Sequence, residues 1–122
     1  KTNQVDPSKL PQTTGKLEVN SFVAAKVEGG NDYHYSYITK VEGESFEVKT
    51  YFYQYTYTVL KQDLLVIPAE NNFAVGDSVF AVWTNGRFYD GILGKIENNG
   101  AWVKWSDGSK ESFVEFIMMI KR

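Results

Sequence analysis

The chain has 122 residues, 43% hydrophobic and 16% aromatic, with a formal net charge of -2; that suits one ordinary folded domain, or two very small ones sharing a core, and excludes a disordered segment. The absence of cysteine excludes disulfides and thiolate metal sites, and no run approaches the roughly eighteen apolar residues of a membrane-spanning helix. The acidic balance lacks the positive field of nucleic-acid binders, and basic residues never cluster beyond Lys121 and Arg122, so nucleic acid is not expected as a partner.

The sequence begins at Lys1 rather than Met and is expected to be a processed or trimmed piece, any signal peptide being already gone, with its compartment left open. The opening KTNQVDPSKLPQTTGK holds two of the three prolines and shows neither helical nor alternating apolar periodicity. Residues 1–16 are therefore expected to form a flexible leader. After them come short segments rich in Val, Ile, Phe, Tyr and Trp, punctuated by EGGND, EGE, TNG, ENNG and SDGS, the pattern of β-strands joined by tight turns. No ten-residue segment carries apolar residues at helical spacing, so an almost entirely β fold is expected.

The strands form two similar halves. SFVAAKV (residues 21–27) matches SVFAVW (78–83), YITKVEG (37–43) matches ILGKIEN (92–98), and FEVKT (46–50) matches AWVKW (101–105), at an offset of about 55 residues. Each half ends in a short apolar run, LLVIP or FIMMI, able to return and close a barrel. The expected organisation is two small five-stranded barrels, 17–68 and 73–122, joined by a linker at 69–72. Units this small bury too little surface to be stable alone. Residues 79–83, VFAVW, are apolar at every position, so both faces of that strand need cover: one inside its barrel, the other against the first repeat.

Between the matched segments, TYFYQYTYTV (50–59) alternates Tyr51, Tyr53, Tyr55 and Tyr57 on one face with Phe52, Gln54, Thr56 and Thr58 on the other. This predicts a long strand or hairpin with a cross-strand tyrosine ladder. The functional alternative is a stacking platform for a sugar, peptide or base. His34, the only histidine, lies between Tyr33 and Tyr35 after a Gly-rich turn and is expected to be an ordinary surface residue.

The second repeat, VGDSVFAVWTNGRFYDGILGKIENNGAWVKWSDGSKESF, resembles a Tudor domain, one of the SH3-like barrels that read methylated lysine or arginine. The likeness rests on VGDSVFAVW, on YDGIL after a short hairpin, on the turn ENNG, and on VKW followed by SDGS. With a first barrel containing VAAKVEGG and ending in VIP, residues 17–122 as a whole are similar to tandem Tudor modules. In that family, aromatics at the end of the first strand, the start of the second and the end of the third converge into a cage for a methylated cation. The resemblance places Trp83, Tyr89 and Trp105 at those positions, with Asp107 as an acidic partner. A fourth aromatic wall would fall near Lys110 or Glu111, where this chain has charge; Phe113 is close but displaced. The first repeat has Val27, His34 and Thr50 at the cage positions, so no cage is matched there and that barrel is expected to buttress the second.

The residues themselves allow a second reading. Ala101, Val103 and Trp105 share one face of an alternating strand, so the aromatics either line a cage or cap the hydrophobic core. Enzymatic function is not expected. A Ser-His-Asp arrangement would have to run through His34 without a GxSxG motif, and neither a phosphate loop nor metal-ligand spacing appears. No cofactor is expected. The favoured reading is a monomeric binding module taking a peptide, methylated or not, on its second barrel. Its alternative is an SH3-like protein of a bacterial envelope that binds a glycan or another protein.

Overall fold

The computed structural model describes residues 10–27, 29–69 and 72–122. Ten strands account for most of them: β1 Phe22–Lys26, β2 Tyr33–Glu42, β3 Ser45–Thr50, β4 Thr56–Leu60, β5 Leu64–Val66, β6 Ser78–Val82, β7 Phe88–Glu97, β8 Gly100–Trp105, β9 Ser112–Glu115 and β10 Met119–Lys121. No α-helix occurs among the described residues. Short 3-10 turns at Lys61–Asp63 and Phe116–Met118 steer the chain into β5 and β10.

The strands form two five-stranded antiparallel sheets, ordered β4-β3-β2-β1-β5 and β10-β6-β7-β8-β9. Counted from the first strand of each repeat, the two orders are identical. The register agrees too, since Ala25 faces His34 as Ala81 faces Tyr89, and Thr50 faces Ser36 as Trp105 faces Gly91. Even the irregularities coincide: the ladder shifts between Ile38 and Lys40 in one sheet and between Leu93 and Ile96 in the other. Such bulges bend the long second strand and let a small sheet coil upon itself. All-β tandem SH3-like barrels are thus the architecture.

The two-residue period of a strand explains the packing. Val23 and Ala25 point into the first barrel's core with Ile38 and Val48, while Val79 and Ala81 point into the second with Leu93 and Val103. The alternate residues, Phe22 and Ala24 on β1 and Phe80 and Val82 on β6, meet in a third core between the barrels together with Tyr35, Ile67 and Phe88. Phe22 stacks on Tyr35 at 4.6 Å, Phe80 stacks on Phe88 at 5.2 Å, and Tyr35 and Phe88 join the pairs at 6.2 Å between ring centroids. The apolar run at residues 79–83 reflects this need for cover on both sides.

Two expectations are modified. Residues 1–9 of the expected leader lie outside the described residues, but from Gln12 the chain is held to the first barrel. Its amide donates to the Asn20 carbonyl at 2.6 Å, its carbonyl accepts from the Phe22 amide at 2.7 Å, and the Thr14 hydroxyl bonds that of Ser21 at 2.8 Å. The segment 50–59 takes the hairpin form of the two expected, with β3 and β4 paired antiparallel and Lys49 facing Thr56. β3 stops at Thr50, residues 51–53 turn, and β4 starts at Thr56. Gln54 takes the left-handed φ of 60° that the reversal requires, held by its side-chain amide, which donates to the Tyr51 carbonyl at 2.8 Å. The tyrosine ladder is therefore broken. Tyr51, itself exposed, meets Phe22 and Tyr35 edge-on, Tyr57 packs on the first barrel's core, and Tyr53 and Tyr55 stack on each other outside.

Candidate functional site

The turn between β6 and β7 is closed by the Trp83 amide, which donates to the Arg87 carbonyl at 2.9 Å, and by the Gly86 amide, which donates to the Trp83 carbonyl at 2.9 Å. Gly86 has φ 83°, a conformation that costs a residue with a Cβ. Asn85 locks the turn from within: its side-chain oxygen accepts from the Arg87 amide at 3.0 Å, and its nitrogen donates to the Tyr89 hydroxyl at 2.8 Å. The ring of Tyr89 thereby stands beside the indole of Trp83, 6.2 Å away between centroids and nearly perpendicular at 89°.

Trp105 enters from β8. Its neighbours on the inward face, Ala101 and Val103, are wholly buried, and Trp105 itself is only 5% exposed. The indole Nε1 donates to the Ser112 hydroxyl at 3.0 Å, which fixes the ring and satisfies its polar atom. Beyond the strand end, Asp107 sits in a turn in which its carboxylate accepts from the Ser109 amide at 2.9 Å. Hydrogen bonds from the Ser109 amide and side chain hold the exposed carboxyl of Asp107 below the ordinary carboxylate range.

Trp83, Tyr89, Trp105 and Asp107 thus come together around one recess of about 100 Å³, with Ser109 completing its lining. They do not contribute alike. Trp105 belongs to the second barrel's core, Tyr89 packs half-buried against that core, and Trp83 is 36% exposed. Core and recess are two faces of one cluster, with Trp105 as the floor and Trp83 as a free-standing wall. Lys110 and Glu111 are not in the lining, and Phe113 packs on Trp102 at 5.9 Å instead. On the first barrel, Val27 and Thr50 are buried, and the Thr50 hydroxyl accepts from the Tyr55 amide at 3.0 Å. Sequence reasoning overlooked Asn85 and Ser109. The signals were present, since TNG and SDGS are turns in which a polar side chain habitually bonds the backbone two residues on.

No protein-family model matches the chain, and no curated protein matches it. Its fold is similar to that of solved tandem Agenet structures. The Arabidopsis thaliana AGDP1 AGD34 structure aligns with a TM-score of 0.51 at 11% identity, over 94% of this chain and 84% of that one. The ADCP1 tandem Agenet domain 3-4 aligns with a TM-score of 0.48 at 11% identity, over 94% of this chain and 82% of that one. The matching strand order and register of its two sheets fit the same fold as the AGDP1 AGD34 structure, two small β-barrels in tandem.

Proposed function

We propose that this chain is a non-enzymatic binding module whose second barrel takes a peptide carrying a methylated lysine or arginine. The observation carrying the reading is the convergence of Trp83, Tyr89 and Trp105 with the carboxylate of Asp107 on one recess. A methylammonium group keeps its charge while losing hydrogen bonds to water, so aromatic faces attract it at about 0.5 to 2 kcal/mol per contact. An ionised carboxylate at the rim adds to that attraction. A volume of about 100 Å³ corresponds to roughly three waters, which suits a compact headgroup better than a ring. The test is a fluorescence titration with a trimethyllysine peptide and its unmodified twin. The methylated peptide should quench the indole emission of Trp83 and bind more tightly; equal binding of the two would refute the reading.

A further inference from the structure

The place on the first barrel that corresponds to this recess is built differently. His34 and Thr50 occupy the strand positions of Tyr89 and Trp105, and around them opens a larger cavity of about 340 Å³. Tyr53, Tyr55 and Tyr57 wall it from the first barrel, while Asn85 and Arg87 reach in from the turn of the second. The first barrel lacks the cage aromatics, and the sequence points here only through the alternative reading of the tyrosines of 50–59 as a stacking platform.

Three features point to a ligand and to its charge. Tyr53 and Tyr55 are 56% and 61% exposed, yet their rings lie nearly parallel at 17° and 6.2 Å apart. Paired aromatic faces left in water offer apolar cover to something that binds. Secondly, no carboxylate lines this cavity, whereas Arg87 contributes a guanidinium and Asn85 an amide donor. Asp32, at the rim, pairs with Arg87 at 3.0 Å, with both side chains about half exposed. That partner is open to exchange, because an exposed ion pair is weakly held. Thirdly, Asn85 lines this cavity while donating to the hydroxyl of Tyr89, which lines the other. One hydrogen bond thus links the linings of the two recesses.

We propose that this cavity is a second subsite, which takes an acidic side chain of the same peptide whose methylated cation enters the Trp83 recess. The inference rests on the reading of that recess given above. The two recesses differ in charge: the carboxylate of Asp107 lines one with no cationic side chain, whereas the guanidinium of Arg87 lines the other and its partner Asp32 stands outside the lining. An Asp or Glu near the methylated residue would meet Arg87 in place of Asp32, with its stem and backbone against Tyr53 and Tyr55. The cavity has room for roughly ten waters, enough for a side chain and a stretch of main chain. A nucleotide base with its phosphate would meet the same groups, but the net charge of -2 disfavours a polyanion.

The test uses capped trimethyllysine peptides with a single Glu placed at successive positions on either side, each beside a Gln twin, titrated against the whole chain. At one spacing the Glu peptide should bind roughly two- to fivefold more tightly than its twin, the size expected of a partly exposed ion pair. In Arg87→Gln the two should bind alike, and Asp32→Asn should widen the gap by removing the competing carboxylate. Equal binding of Glu and Gln twins at every spacing, with methyl dependence retained, overturns this inference and leaves the first recess standing. Loss of methyl dependence with an Arg87-dependent Glu preference retained removes the first reading and keeps an acidic-peptide site. Failure of every peptide to bind, or displacement of the Glu peptide by a single-stranded oligonucleotide at physiological salt, overturns the inference outright.

Discussion

The hydroxyl of Tyr35, on the second strand of the first barrel, donates to the carbonyl of Ile117 in the second barrel at 3.2 Å, across 82 positions of sequence. Tyr35 is 1% exposed, and its ring lies among Phe22, Tyr51 and Phe88. It is therefore a bolt between the barrels, polar at its tip and apolar around its body. Tyr35→Phe should cost about 0.5 to 1.5 kcal/mol for the hydrogen bond, and Tyr35→Ala about 3 to 5 kcal/mol for the lost packing. Residues 73–122 expressed alone should melt well below the whole chain, because Phe80, Val82 and Phe88 would be left in water. An isolated second barrel as stable as the intact chain would contradict a shared core.

Burial holds the Tyr35 phenol well above its ordinary range, with the charges of Tyr51 and Glu115 acting in the same direction. A phenol that ionises freely only in the unfolded chain contributes stability below its unfolded pKa of about 10 and loses it as pH rises further. Denaturant midpoints should accordingly fall above about pH 10, and Tyr35→Phe should flatten that fall. The opposite sign applies to Asp107, whose pKa is depressed. Its contribution to methyl-peptide binding should hold throughout the neutral range and fade only below the ordinary carboxylate pKa of about 3.9. Binding already lost at pH 5, with the fold intact by circular dichroism, would exclude Asp107 as the acidic partner.

Substitutions among the three aromatics should separate recess from core. Trp83→Ala should abolish methyl-dependent quenching while costing less stability than Trp105→Ala, since Trp83 is partly exposed and belongs to none of the three core clusters. Trp105→Ala should destabilise by about 3 to 5 kcal/mol whatever it does to binding. Tyr89→Ala should do some of each, with about 1 to 2 kcal/mol in binding for the lost cation–π wall. Peptide titrations and melting curves on the three variants check this ordering.

Gly86 lies where the second barrel's turn touches the first: its carbonyl accepts from the Tyr35 amide at 2.9 Å, and an added Cβ would come within 3.0 Å of the Phe52 ring. Its left-handed φ adds about 1 to 2 kcal/mol of strain for any residue with a Cβ. Gly86→Ala should therefore lower stability by at least that amount. It should also weaken peptide binding, because Asn85, one residue away, supports Tyr89. A variant with wild-type melting and wild-type binding would show that the turn is not held as described.

Duplex DNA and single-stranded RNA should not bind measurably at physiological salt. Phosphate contacts require a cluster of cations, and the sequence, with a net charge of -2, holds no basic cluster beyond Lys121 and Arg122. A micromolar complex that weakens steeply with salt in a gel-shift titration would contradict this.

Strand positions and the duplication were legible in the sequence because both are local. Alternation such as Ala101, Val103 and Trp105 has a two-residue period that any strand imposes, and turn residues such as TNG and SDGS act over four positions. The aromatics of the recess were placed by the resemblance of the second repeat to Tudor domains, since the first repeat has Val27, His34 and Thr50 at those positions. Local signals failed where contacts far along the chain decide. Alternation through residues 50–59 left a long strand and a hairpin both open, and the contacts of Tyr51 with Phe22 and Tyr35, with the left-handed Gln54, go with the hairpin, in which β3 ends at Thr50. The tyrosines of the second cavity were legible as a stacking platform, but the cavity they help to line was not. Its walls come from β2, β3, β4 and the turn between β3 and β4, and from a turn of the other barrel, segments brought together by the packing of the third core and by the bridge between His34 and Arg87.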